Sequence, residues 1–204
     1  MADEEDAEEK PEVPPTEDLM REHGVLNRVL IVYEEALRRL EAGEGLPPEA
    51  ISRAARIVKV FIEDHHEKHE ENHIFPLFEE RGRLVNLVRT LRVQHDAGRK
   101  VTLEILALAP ATGPGGDAVG RRRLADLLRA FLYMYRPHEA REDTILFPAV
   151  RRILTPGEFE GLSERLEEDE HARFGGDGLG RFVAEAAGIE TLLGIDDLAR
   201  FTPR

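Results

Sequence analysis

Apolar residues recur along this chain at helical spacing and nowhere alternate as a strand would. Leu19, Leu26, Leu30, Leu37 and Leu40 share one stripe with His23, behind Thr16, a residue suited to capping the helix, and the acidic first-turn pair Glu17 and Asp18. "AGEGLPP" (42–48) stops that stripe. A second starts near Pro48, carries Ile51, Ala55, Val58 and Ile62 into "HHEKHEENHIFP" (65–76), and breaks at Gly82. A third holds Leu84, Val88, Leu91, His95, Thr102 and Ile105, and the loop "PATGPGGD" (110–117) follows it. A fourth runs through Leu124, Leu128, Phe131, Tyr135, His138, Glu142 and Ile145. The pattern predicts an all-α protein, an antiparallel four-helix bundle of up-down-up-down order over residues 16–155. Phe159, Leu162 and Leu166 keep the helical spacing beyond Thr155-Pro156-Gly157. They predict additional short C-terminal helices in an extension, 156–204, that packs on the bundle. Residues 1–15 are acidic and proline-containing and are expected to be disordered.

Several polar residues lie on these inward stripes, and they repeat. His66, Glu70 and Phe75-Pro76 recur 72 residues later as His138, Glu142 and Phe147-Pro148. The same displacement carries His23 onto His95, so two helical hairpins share one skeleton. The turns agree with this. The midpoints of 23 and 66, of 66 and 95, and of 95 and 138 all fall at predicted turns, which brings the four histidines to one level. Glu70 and Glu142 sit one turn further along, about 6 Å away, on the same face as their histidines. The expected site is a ring of His23, His66, His95, His138, Glu70 and Glu142.

The ring implies metal, because an unpaired inward carboxylate is costly. Imidazole and carboxylate without thiolate suit iron, manganese or zinc, and the chain has no cysteine. Two ions bridged by Glu70 and Glu142 account for the donors, one ion on His23 and His66 and the other on His95 and His138. His69-Glu70-Glu71-Asn72-His73 also spells the zinc-protease signature H-E-x-x-H. The second half offers Arg141 and Ile145 in place of those histidines, and no strands are predicted, so that reading is set aside.

The two H-x3-E-x4-F-P segments, each with a lone histidine one helix earlier, resemble the hemerythrin-like, or HHE cation-binding, family. "DLMREHGVL" and "RPHEAREDTILFPA" resemble its bacterial members, and the likeness covers residues 16–155. The resemblance implies a non-haem di-iron centre, oxo- or hydroxo-bridged, that binds or reacts with O₂, NO or peroxide in a sensing, scavenging or redox role. Oxygen-carrying hemerythrins use five histidines, whereas the third helix here offers His95 with Arg99 four residues on. That departure points away from simple oxygen carriage. A binding protein and a di-iron oxidoreductase with peroxidase- or catalase-like activity both stay open. The alternative, a ferritin-like iron-handling protein, is suggested by Glu63-x-x-His66 and Glu70-x-x-His73, neither of which repeats at 72 residues.

Other side chains are candidates for additional metal contact or support: His69, His73, Tyr135, and His171 if its helix folds over the site. Glu71 and Asp143 are expected beside the ring or at the surface, and Phe75 and Phe147 as walls of the pocket. With 41 acidic against 28 basic side chains, a net charge of −13 disfavours nucleic acid and anionic membrane as partners. No stretch is apolar enough to span a membrane and no apolar leader is present, so a cytoplasmic location is expected.

Overall fold

In the computed structural model, which describes residues 13–113 and 117–203, the chain is helical almost throughout, with no strand among those residues. The acidic segment expected to be disordered lies outside them as far as residue 12. Helix α1 (Pro15–Ala42) begins earlier than Thr16 capping would allow. Pro15 takes the first helical position, where a missing N–H leaves nothing unsatisfied, and Thr16 is buried within the helix. Gly43, at φ 68°, closes α1, and the Glu44 N–H donates to the Arg39 carbonyl at 2.9 Å.

Helix α2 (48–80) runs back from Pro48. A tight turn with Gly82 at φ 61° and Leu84 at φ 50° leads into α3 (Val85–Leu108). Helix α4 (118–153) is capped by Asp117, whose carboxylate accepts the Gly120 N–H at 2.7 Å. These four helices form the expected antiparallel bundle.

Three of its stretches are wider than an α-helix, with π-helical hydrogen bonding at Val58–His66 and Glu70–Ile74 in α2 and Glu142–Leu146 in α4. The last two occupy equivalent places in the two halves, and each ends at a Phe-Pro pair. Pro76 and Pro148 have no N–H for the carbonyl four residues back, and their rings crowd it. The backbone relieves this by accommodating one extra residue in the turn.

The C-terminal helices are longer than expected: α5 (Pro156–Phe174) has 19 residues and α6 (Gly178–Leu193) has 16. Thr155 and Glu158 form a capping box at the start of α5. Asp177 caps α6 by accepting the Gly180 N–H at 2.8 Å. The glycine-rich stretch 174–180 reads as a general loosening, yet it costs the helices only a short turn around Gly175 and Gly176.

Two apolar clusters fill the interior. One joins Val29, Leu30, Phe61, Leu128 and Phe131 to Phe182 and Ile189 of α6. The other joins Leu19, Phe75, Leu91, Phe147 and Val150 to Leu162 and Leu166 of α5. Along each of α1 to α4, the histidines and glutamates of the repeat fall between these clusters. Packing on both sides thus fixes a polar layer that could not hold itself together in isolation. Arg28 of α1 and Glu190 of α6 pair at 2.8 and 2.5 Å, and Arg53 of α2 and Glu185 of α6 at 2.7 Å. No helix among the described residues is long and apolar enough to cross a membrane.

Candidate metal centre

All six repeated side chains meet in the polar layer, and all are buried. His23 and His66 have ring centroids 4.6 Å apart, and His95 and His138 5.0 Å apart. Glu142 lies between the pairs, with Oε2 3.5 Å from His23 Nε2 and Oε1 3.0 Å from His138 Nε2. Glu70 does the same with one oxygen, Oε2 being 3.8 Å from His66 Nε2 and 3.4 Å from His95 Nε2. Each glutamate therefore approaches one histidine of each pair. Glu70, His95, His138 and Glu142 each present a ligand atom within 4.8 Å of the others.

The four glutamate oxygens and His66 Nε2 make no hydrogen bond despite this proximity. A buried polar atom left unpaired costs about 1–3 kcal/mol, more when charged. A cation among them removes that cost, and the donor set suits a borderline or hard transition ion.

A second layer of side chains orients the imidazoles. His23 Nδ1 lies 2.8 Å from Asp143, His66 Nδ1 2.7 Å from Glu22, His95 Nδ1 3.1 Å from Glu71, and His138 Nδ1 2.9 Å from Gln94. With Nδ1–H donating to these oxygens, each Nε2 keeps its lone pair directed at the centre. Glu71 and Asp143 are the pair anticipated beside the ring. Glu22 and Gln94 escape the sequence reading, although the same 72-residue displacement relates them.

Electrostatics in the metal-free ring are divided. Burial opposes a charge on Glu142, but the facing His138 and His23 hold its carboxyl well below the usual range. Glu70 is pushed up by burial and then by the charge of Glu142. Burial also works against a protonated His95, yet Glu67, Glu70 and Glu71 outweigh it and raise its imidazolium to about 10. Protons held here compete with an incoming cation, so metal uptake releases protons and weakens as pH falls. Phe147 stacks on His23 and Phe75 on His95, each at 5.5 Å, walling the layer with apolar surface.

The remaining candidates lie elsewhere. The Tyr135 hydroxyl donates to Glu67 Oε1 at 2.8 Å, and burial pushes its phenol well above the ordinary value. It therefore faces Glu67 as a neutral donor. Glu67 and Glu71 both pair with Arg99, at 2.7 and 2.5 Å, which links Tyr135 to His95 through three side chains. Gly98 makes room for this, since a Cβ there would lie 2.2 Å from the tyrosine hydroxyl oxygen. His69 and His73 point toward Asp169 of α5, at 4.0 and 3.0 Å. His171 is exposed and does not join the ring; Asp169, two residues earlier, is the residue by which α5 reaches the histidine-rich turn.

The hemerythrin HHE cation-binding domain matches residues 15–113 and 86–202. "Uncharacterized protein Rv1995" of Mycobacterium tuberculosis and "Uncharacterized protein Mb2018" of Mycobacterium bovis are each 45% identical over 194 residues, covering 94% of this chain and 76% of theirs. No solved structure matches significantly.

Proposed function

The chain belongs to the hemerythrin HHE cation-binding domain family, and on that premise we propose that the ring holds two iron ions and reacts with peroxide or a diatomic gas. The observation that supports this most is the placement of Glu142, one oxygen against each imidazole pair. His23 and His66 would hold one ion and His95 and His138 the other, with Glu70 and Glu142 within reach of both. Bound iron supplies a change of oxidation state and open coordination positions for a small exogenous ligand.

The protein's own residues set what can happen there. Asp143, Glu22, Glu71 and Gln94 hold the imidazoles in register, and Phe75 and Phe147 exclude water. A fifth histidine is lacking where the third helix could have supplied one. That position is Arg99, whose guanidinium is committed to Glu67 and Glu71. Four protein donors per ion favour a centre that reacts with its ligand over one that merely carries it. Nucleic acid and membrane have no part in this reading, given the net charge of −13.

The test is peroxide in excess over iron-loaded protein. Consumption of many equivalents per chain is the expected result. Consumption of one equivalent with bleaching would overturn the reactive reading. Indifference of the iron spectrum to peroxide, O₂ and NO alike would overturn the proposal as a whole.

A further inference from the structure

The structure assigns Glu22, His65 and His69 as a second metal site, separate from the ring and suited to one divalent transition-metal ion. One ligand atom from each of the three lies within 4.8 Å of the other two. Donors sharing an ion at about 2.0–2.2 Å are some 3–4 Å apart, so small side-chain movements close the set. Glu22 is 3%, His65 2% and His69 5% exposed. The two imidazoles, one turn apart on α2, have centroids 4.2 Å apart. Among the described residues the His69 side chain has no hydrogen bond of its own, and its one ion-pair contact is the longer approach of Asp169 at 4.0 Å.

Glu22 is divided between the ring and this second cluster. Its Oε2 lies 2.7 Å from His66 Nδ1 and its Oε1 lies 3.0 Å from His65 Nε2. The equivalent task in the other half, orienting His138, is done by the neutral amide of Gln94. Orientation alone therefore does not require a carboxylate, but a cation at Oε1 does. Positions 65 and 69 have Pro137 and Arg141 as their counterparts, so only the first half of the repeat can build this site.

Charge separates this cluster from its rival. Glu67, Glu71 and His95 also group closely, but Arg99 already neutralises both glutamates at 2.7 and 2.5 Å. Among the described residues, Glu22 has ion-pair contacts with His65 and His66 alone. A surface cleft of about 440 Å³, lined by His65, His69 and Asp169, gives an ion access. Lys68, also in that lining, is held by Glu71 at 2.5 Å. Asp169, 4.0 Å from His69 Nε2, is placed to add a fourth donor. Nitrogen and oxygen donors of this kind take zinc, cobalt or ferrous iron.

The test equilibrates iron-loaded protein with Co(II), removes loosely held ions by desalting, and counts iron and cobalt separately. Wild type should keep about one cobalt per chain with ligand-field absorption of an imidazole-ligated ion. His69→Gln should lose that cobalt with its iron count unchanged, and Asp169→Asn should hold it less tightly. Equal cobalt in wild type and His69→Gln would overturn the assignment, as would no cobalt retained by wild type, a result that needs no variant. The iron count reports independently on the ring, so a failure there is distinguishable from a failure here.

Discussion

Alanine at Glu142 should leave a protein that loads iron at neither position, whereas alanine at His23 should leave one position filled. Glu142 faces His23 with one oxygen and His138 with the other. Two divalent ions at ordinary two-metal separations repel by on the order of 20 kcal/mol even at an effective dielectric of 20. Carboxylates shared between two ions offset that repulsion, and the ring has two glutamates placed to be shared. Removing one leaves neither ion tolerable beside the other, and each also loses a donor. His23→Ala removes a donor from the ion shared with His66, while His95 and His138 keep theirs. Metal content of the two variants under identical loading is the measurement. Full retention of two irons by Glu142→Ala would show that this carboxylate does not bridge.

The second large effect is on stability. Phe147→Ala should destabilise the metal-free protein by about 3–5 kcal/mol, the usual cost of emptying a buried aromatic site. For a chain of this size that corresponds to a fall in melting temperature of roughly 6–20 °C. Phe147 is fully buried, packs with Leu19, Val150 and Leu162, and stacks on His23. The variant should also bind metal less well, because the ring it leaves has lost one wall. Thermal unfolding followed by circular dichroism decides the first part. A shift of less than about 1 kcal/mol would mean that the apolar layer beside the ring is less closely packed than described.

Much of this architecture is legible in the sequence because two regularities coincide. Helical periodicity places the four stripes, and the 72-residue repeat selects which polar residues on them belong together. His23 and His95 show how the second rule rescues what the first would pass over as ordinary core histidines. Glu22 and Gln94 obey the same repeat, but a glutamate and a glutamine do not look alike, and nothing in their spacing marks them as hydrogen-bond acceptors for a histidine on another helix. The π-helical turns are harder still. Only the Phe-Pro pairs hint at the two that repeat, because the change is in backbone hydrogen bonding and not in side-chain pattern. The C-terminal helices are longer than the sequence suggests, since their glycines read as loop. In fact Asp177 and the Gly175-Gly176 turn make a sharp break between two full helices. His171 and Asp169 illustrate the limit of a helical wheel: which face of α5 turns inward is decided by Leu162 and Leu166 packing on the bundle.

The proposed reactivity depends on two metal ions sharing one ring. Elemental analysis of the wild-type protein, expressed with ample iron and purified without chelator, addresses that directly when paired with its near-ultraviolet absorption. About two irons per chain and an oxo-to-iron charge-transfer band are the expected result. A single tightly held zinc with no iron would contradict it.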